Sequence, residues 1–123
     1  MTLWARCHCG RTIIEIDGEL PRELTRCTCS LCSKRGHLFA YFAPDKVKVK
    51  QADSDAVYRW NTTLVASHFC SACGCDTYTD SPAFERDGSW DGTTRRIGLN
   101  ARLIDDFEAA DWPVTVIDGK TLW

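Results

Sequence analysis

Three short motifs hold all eight cysteines of this 123-residue chain: Cys7-His8-Cys9-Gly10, Cys27-Thr28-Cys29-Ser30-Leu31-Cys32 and Phe69-Cys70-Ser71-Ala72-Cys73-Gly74-Cys75. Cysteines this close along a chain cannot easily bridge one another, because a disulfide needs Cα atoms about 5.5 Å apart and converging Cβ vectors. Thiolates two or three residues apart can instead point at one ion. In a reducing cytosol, clustered thiols also bind metal more often than they form disulfides. The motifs therefore indicate metal binding.

Zinc is the metal that this donor set favours. It is soft enough for thiolates, takes four of them tetrahedrally at about 2.3 Å, and has no redox cycle of its own. A glycine directly follows Cys9 and Cys73, where a positive φ would let backbone amides donate to sulfur. An iron–sulfur cluster is the minor alternative, since thiolates hold those clusters as well.

Eight cysteines leave two arrangements of metal sites open. They can close two four-thiolate sites, both structural. Alternatively, four cysteines close one site, while three hold a second ion that keeps an open position for water or substrate. Closed sites stabilise folds and open sites do chemistry, and the spacing alone does not choose between the two arrangements.

Most of the remaining sequence is typical of short β-strands. The segments are β-branched or aromatic, or alternate with a period of two, and several end at turn signals such as Asp17-Gly18. Strands are predicted over residues 12–16, 37–42, 47–50, 57–60, 66–69, 96–101 and 114–117, and short helical turns over 30–35 and 105–110. No linker or low-complexity tract divides the chain. We therefore expect one all-β domain over residues 1–123, with little helix and with zinc knuckles at strand ends and hairpin turns.

Charge and hydropathy exclude several classes of function. The chain has 15 Lys and Arg residues against 17 Asp and Glu, a formal net charge of -2, so it lacks the basic surplus of a nucleic-acid-binding protein. No stretch approaches the roughly eighteen apolar residues of a transmembrane helix, and Cys7 is reached without the apolar run of a secretory signal. We therefore expect a cytoplasmic protein that binds neither nucleic acid nor membrane.

The cysteine motifs quoted above resemble those of the glutathione-dependent formaldehyde-activating enzyme family, also called the CENP-V/GFA domain. Residues 96–104 and 117–123 are similar to the C-terminal part of the same family, so the resemblance covers essentially the whole chain. It implies a β-tent fold, built from small antiparallel sheets that meet at an angle. It also implies two zinc ions per chain, a structural one held by Cys7, Cys9, Cys70 and Cys73 and a second one held by Cys27, Cys29 and Cys32.

The activity that the resemblance implies is that of a carbon–sulfur lyase. In the family's namesake reaction, glutathione and formaldehyde combine to form S-hydroxymethylglutathione. The resemblance then makes Cys27, Cys29 and Cys32 the catalytic cysteines, holding a zinc whose fourth position is open to a thiol such as glutathione. Metal coordination would deprotonate that thiol at neutral pH, and the thiolate could attack the carbonyl carbon while a nearby acid protonates the oxygen.

Charged and histidine side chains near the motifs are further candidates. Glutathione carries two carboxylates, which favours cationic neighbours such as Lys34 and Arg35 beside the second motif and Arg11 beside the first. His37 and His68 lie in strand-like segments, where we expect structural histidines rather than general acids.

Three positions depart from the family pattern. Thr28 stands where the family usually has histidine, and Ser33 stands where a basic residue often follows the last cysteine of the motif. The third departure is Cys75, which would face the same side as Cys73 if this stretch is extended. By filling the fourth position of the second zinc, Cys75 would close that site. The alternative function is therefore a non-catalytic zinc module that binds a protein partner or a thiol.

Overall fold

The computed structural model describes residues 1–60, 63–85 and 87–122, and β-strands dominate these residues. The strands are β1 Thr2–Arg6, β2 Thr12–Asp17, β3 Leu24–Cys27, β4 Phe39–Phe42, β5 Val47–Ala52, β6 Asp55–Tyr58, β7 Ala66–Cys70, β8 Asp76–Pro82, β9 Arg95–Asn100 and β10 Val114–Ile117. The helices are α1 Ser30–Arg35 and α2 Gly119–Leu122, with single 3-10 turns at Pro44–Lys46, Ala101–Leu103 and Ala109–Asp111. Strand makes up 44% of the structure and helix 15%, which confirms the mainly-β fold class.

The strands form two sheets. The smaller sheet has the order β1-β2-β5 and is antiparallel. The larger sheet has the order β10-β3-β4-β9-β8-β7-β6. Its neighbours are antiparallel except for β10 and β3, which run parallel from the Val114–Leu24 pair to the Ile117–Cys27 pair. This parallel pair departs from the predicted antiparallel sheets, because β10 returns from the far end of the chain and no hairpin turn sets its direction.

One apolar core cluster joins the two sheets. Ile14 and Ile16 of β2 and Leu99 of β9 are fully buried in it, together with Leu24 at the start of β3. The two isoleucines are alternate residues and therefore point to the same face of their strand. Each such side chain contributes about 1.5–3 kcal/mol when it is removed from water. The core packs against one face of the large sheet. The opposite face of this sheet carries a different set of side chains.

That other face carries a column of rings on and beside β4. His37 stacks on Phe39 with the ring centroids 4.1 Å apart, and Phe39 stacks on Tyr41 at 5.5 Å. The three residues alternate along the chain and so share one face; we call them the aromatic ladder. Arg96 of β9 extends the column, since its guanidinium carbon lies 4.0 Å from the centroid of the Tyr41 ring.

Gly98 of β9 makes room for the ladder. It lies opposite Tyr41 in the β4–β9 pair. A Cβ atom at this position would lie 2.6 Å from Oγ1 of Thr79 and 2.8 Å from Cδ1 of Phe39. Real side chains do not approach each other this closely. The lack of a side chain at position 98 is therefore a packing requirement of the sheet face that carries the ladder.

The Gly98→Ala variant should lower the free energy of unfolding by about 1–3 kcal/mol, the usual cost of overpacking. Urea unfolding followed by circular dichroism would measure the loss. Adding Thr79→Ala removes the hydroxyl that the new methyl group meets first, so the double variant should recover part of the stability. A single variant as stable as the wild type would contradict the close approach.

Most predicted elements are confirmed with small shifts at their ends, and the helix at Ser30–Arg35 has the predicted bounds. Three strands lack a strong sequence signal: β1, β3 and β8. β8 buries small polar side chains, Thr77, Thr79 and Ser81, which an apolar periodicity does not detect. The helical turn predicted over 105–110 is found only at the end of that range, as the 3-10 turn Ala109–Asp111, because Asp106 adopts a positive φ of 61° that a helix does not allow.

Two further predictions concern the membrane and the C-terminus. Among the described residues, none of the helices has the length and apolar character that crossing a membrane requires. The last residue of the predicted C-terminal similarity, Trp123, lies outside the described residues.

Candidate metal centre

The first and third cysteine motifs meet at one four-cysteine cluster, formed by Cys7, Cys9, Cys70 and Cys73, whose sulfur atoms all lie within 4.8 Å of one another. We call it cluster 1. Its first two members lie in the turn between β1 and β2, Cys70 is the last residue of β7, and Cys73 lies in the turn that follows. Each turn bends at a glycine directly after its second ligand, Gly10 with φ 79° and Gly74 with φ 82°. The predicted positive φ at both glycines is confirmed.

The sulfur separations in cluster 1 match the requirements of a tetrahedral metal ion. Cys9 Sγ lies 3.7 Å from Cys7 Sγ and 3.6 Å from Cys70 Sγ. Four ligands at about 2.3 Å from a central zinc would stand about 3.8 Å apart. A disulfide would instead bring two sulfurs to about 2.0 Å, and all eight cysteines of the chain are free. The residues of cluster 1 therefore fit a thiolate-bound metal.

Backbone amides stabilise negative charge on the sulfurs of cluster 1. The Thr12 N–H donates to Cys7 Sγ at 3.3 Å. The Cys75 N–H lowers the pKa of the Cys73 thiol to about 5. Amide donors to ligand sulfurs are a usual feature of metal sites.

The middle motif forms a second cluster by itself, which we call cluster 2. The sulfurs of Cys27, Cys29 and Cys32 lie within 4.8 Å of one another. Cys27 ends β3, Cys29 is the N-cap of α1, and Cys32 lies inside that helix. Among the described residues, no fourth histidine, cysteine or carboxylate lies within this distance of all three sulfurs.

The turn that forms cluster 2 also directs amides at its sulfurs. The Cys29 N–H donates to Cys27 Sγ, and the Cys32 N–H donates to Cys29 Sγ, both at 3.4 Å. A hydrogen bond from the Cys32 thiol, with further donors from the backbone, lowers the pKa of Cys27 to about 6. The same thiol–thiol bond, together with burial, raises the pKa of Cys32. The turn therefore favours the deprotonated form of Cys27, which is the form that binds a metal ion.

Cys75 belongs to the surroundings of cluster 1. Its thiol interacts with that of Cys73 and with the backbone of His8, and burial raises its pKa. It is not one of the residues within 4.8 Å of the three sulfurs of cluster 2. The structure therefore gives no support to closure of cluster 2 by Cys75.

Thr28 forms hydrogen bonds that link the C-terminal segment to the turn of cluster 2. Its hydroxyl donates to Asp118 at 2.8 Å, and its backbone N–H donates to the Ile117 carbonyl at 3.0 Å. In return, the Lys120 N–H donates to the Thr28 hydroxyl at 3.2 Å. The Gly119 N–H is thereby placed to donate to Cys27 Sγ. The threonine at this departure from the family pattern therefore positions a backbone donor for a cluster 2 sulfur.

Cluster 2 lines a cavity of about 710 Å³, which also contains the aromatic ladder and Arg96. This volume is within the usual range for small-molecule sites. Small hydroxyl side chains from β7 and β8 form another part of the wall, and the loop after β8 adds Phe84, Glu85 and Asp87. The cysteines thus open onto a space that combines apolar rings with a few polar groups.

The structure separates the cations that the sequence put forward as glutathione-binding residues. Arg35 lines the cavity, but its Nε lies 3.2 Å from an Asp76 carboxylate oxygen. Lys34 is exposed on α1 and is not among the residues that line the cavity. Arg11 lies at cluster 1, where its backbone N–H lowers the pKa of Cys9.

The two strand histidines differ in their environments. His68 is bonded through Nδ1 to the Asp55 carboxylate at 2.9 Å and stacks on Tyr78, as expected of a structural histidine. His37 is only 3% exposed, and its Nε2 has no hydrogen-bond partner within the described structure. Burial lowers the pKa of His37 to about 3, so its ring is neutral at pH 7. His37 therefore presents a neutral ring to the cavity.

Two cavity residues were missed by the sequence reasoning. Tyr41 and Arg96 both fall in predicted strands, and Arg96 begins the C-terminal stretch 96–104, but neither was singled out as a site residue. The alternation of His37, Phe39 and Tyr41 was the available signal, since three rings on one strand face indicate a surface that is covered or that binds a ligand. Burial raises the pKa of Tyr41 to about 12, so its phenol stays protonated at neutral pH.

Comparisons with known proteins agree with this geometry. The sequence model described as glutathione-dependent formaldehyde-activating enzyme matches residues 2–92. The fold is similar to a crystal structure of a Rhodobacter sphaeroides protein, with a TM-score of 0.72 and 25% identity, over 94% of this chain and 100% of that one. The family match spans well over half of the chain and includes both clusters. This chain therefore belongs to the glutathione-dependent formaldehyde-activating enzyme family.

Proposed function

We propose that this protein is a zinc-dependent carbon–sulfur lyase that acts on glutathione or a similar thiol adduct, with cluster 2 as its reactive centre. One observation carries the proposal. Cluster 1 has four sulfurs within mutual reach, whereas cluster 2 has three and lines a cavity of about 710 Å³. Metal sites with four protein ligands are structural, and those with three keep a position for substrate.

The proposal assigns two zinc ions to each chain. Cys7, Cys9, Cys70 and Cys73 would hold the structural ion, and Cys27, Cys29 and Cys32 would hold the catalytic one. A zinc ion held by three thiolates supplies one chemical function when bound, which is to keep an incoming thiol deprotonated at neutral pH. We also assign the protein to the reducing cytoplasm, where its eight free cysteines would persist.

The cavity residues then serve the addition of a thiol to a carbonyl compound. The new carbon–sulfur bond forms as the carbonyl π bond breaks, and the thiol proton is replaced by a proton on the former carbonyl oxygen. The net reaction adds S–H across C=O and needs no oxidant or reductant. Tyr41, a protonated phenol in the cavity wall, is suited to donate a hydrogen bond to the developing oxyanion.

The rings of the ladder serve the same site by limiting water. His37 and Phe39 are 3% and 6% exposed, so these two rings offer little surface to water. A lower water content in the cavity strengthens the charge interactions within it. The neutral His37 ring adds a polar atom, Nε2, that has no partner within the described structure and is free to bond a ligand.

Metal analysis and cobalt spectroscopy test the proposal together. Freshly purified protein should contain two metal ions per chain. The cobalt-substituted protein should show a thiolate-to-cobalt band that shifts when glutathione is added. S-methylglutathione is the matched control, because it lacks the free thiol and should leave the band unchanged. One metal per chain, or two whose spectra ignore glutathione, would instead favour a non-catalytic zinc module.

A further inference from the structure

Arg96 has an unsatisfied donor inside the candidate active site. Its Nε is buried and has no hydrogen-bond partner within the described structure. None of the ion pairs found among the described residues includes it. Buried guanidinium donors are nearly always paired, so an orphaned one in a cavity wall indicates a ligand acceptor.

Two other arginines of this region already have partners. Arg35 is paired with Asp76 at 3.2 Å, and Arg95 with Asp80 at 3.0 Å. Arg96 instead lies over the Tyr41 ring at 4.0 Å. This contact orients the guanidinium but satisfies none of its N–H groups. Arg96 is therefore a preoriented cation whose hydrogen-bonding capacity remains available.

His37 provides an independent observation of the same kind. His37 is only 3% exposed and lines the same cavity as Arg96. Its Nε2 atom also has no hydrogen-bond partner within the described structure. Two orphaned polar atoms on one cavity wall are expected where a polar ligand binds. The aromatic ladder connects the two residues. The ring centroids of His37 and Phe39 are 4.1 Å apart, and those of Phe39 and Tyr41 are 5.5 Å apart. The guanidinium carbon of Arg96 lies 4.0 Å from the centroid of the Tyr41 ring.

The register of the sheet places Arg96 away from the cysteines. In the antiparallel β3–β4 pair Thr25 lies opposite Phe39, so Cys27, two residues further along β3, lies toward His37. Arg96 is at the other end of the ladder, beyond Tyr41. A ligand that touches both cluster 2 and Arg96 must therefore extend along the ladder.

We propose that Arg96 is a specificity-determining residue that binds a carboxylate of the thiol substrate, so that the site favours a thiol that carries this carboxylate over its ester. A guanidinium is the natural partner of a carboxylate, since its parallel N–H groups match the two oxygens. The inference rests on the proposed function, because it takes the sulfur end of the ligand to be at cluster 2. Arg96 then replaces Lys34 as the cation assigned to this task.

Calorimetric titration of the zinc-loaded protein tests the proposal. The probes are glutathione and its diethyl ester, which has the same thiol and length but no carboxylate. Wild-type protein should bind glutathione at least about tenfold more tightly than the diester, as expected for a charge-assisted hydrogen bond. Arg96→Gln should remove this preference by weakening glutathione while leaving the diester affinity unchanged. Arg102→Gln, which removes an exposed arginine, is the matched control and should retain the preference.

A second measurement uses wild-type protein alone. S-methylglutathione keeps both carboxylates but cannot coordinate a metal through a thiolate, and it should shift the Nε–Hε resonance of Arg96 in an NMR titration. An Arg96→Gln variant that keeps the tenfold preference, or that loses both ligands equally, would overturn the proposal. Failure of the proposed function would look different: glutathione would bind wild-type protein no more tightly than S-methylglutathione does.

Discussion

Replacing Cys70 with serine should leave the chain unable to reach a stable fold. Cys70 is fully buried at the end of β7, and its sulfur lies 3.6 Å from Cys9 Sγ across 61 residues of sequence. A structural zinc contributes on the order of 10 kcal/mol to folding, which is comparable to the whole stability of a small domain. Serine removes the ligand with little change in volume, so the loss would report on the metal rather than on packing.

Circular dichroism and metal analysis of purified Cys70→Ser protein would measure this effect. We expect insoluble protein, or a chain without a cooperative unfolding transition. Cys75→Ser is the matched control, because Cys75 lies beside cluster 1 but is not one of its four cysteines. That variant should keep its metal and its transition. A Cys70→Ser protein with wild-type stability would exclude a structural role for cluster 1.

Replacing Cys32 with serine should have the opposite profile, with the fold retained and the chemistry lost. Cys32 is only partly buried on the short helix α1, and the three residues of cluster 2 lie within six positions of the chain. A metal held there closes no long loop, so its loss costs far less stability than loss of the ion at cluster 1. The variant should lose one of two metal ions and the spectral response to glutathione.

Metal content and cobalt spectra of Cys32→Ser protein would be compared with those of Cys73→Ser. Cys73 is a member of cluster 1, so its replacement should resemble that of Cys70 and destabilise the fold. The two variants remove the same atom from the two clusters and should therefore give contrasting results. Unchanged metal content in Cys32→Ser protein would refute a metal site at cluster 2.

The β-strands and the cysteine motifs were largely predictable because their signals are local. Segments 12–16 and 114–117 carry β-branched residues, and the helix at Ser30–Arg35 has the bounds that the sequence predicted. β8 was not predictable in this way, since its buried face is made of threonine and serine. Those side chains are tolerated there because neighbouring strands and the cavity surround them, which is a property of the sheet and not of the segment.

The cation proposed to bind the substrate, Arg96, could not be predicted from the sequence either. Lys34 and Arg35 follow the cluster 2 motif in sequence, which made them the natural candidates. In the folded chain Lys34 is exposed and Arg35 is paired with Asp76. Arg96, more than sixty positions from the motif, reaches the cavity because β9 lies next to β4 in the sheet. Sequence distance carries no information about such a pairing.

By itself, the sequence determined that this protein has thiol clusters suited to metal ions and a mainly-β fold. Thiol spacing and strand periodicity depend only on near neighbours in the chain, so both can be interpreted without a fold. The spacing alone left the grouping of the cysteines open, and the tertiary structure brings their sulfurs into two clusters, of which cluster 1 joins turns some sixty residues apart. The tertiary structure also decided that cluster 2 opens onto a cavity with an unpaired arginine in its wall. Those properties depend on sheet order and on side chains that meet only after the chain has folded.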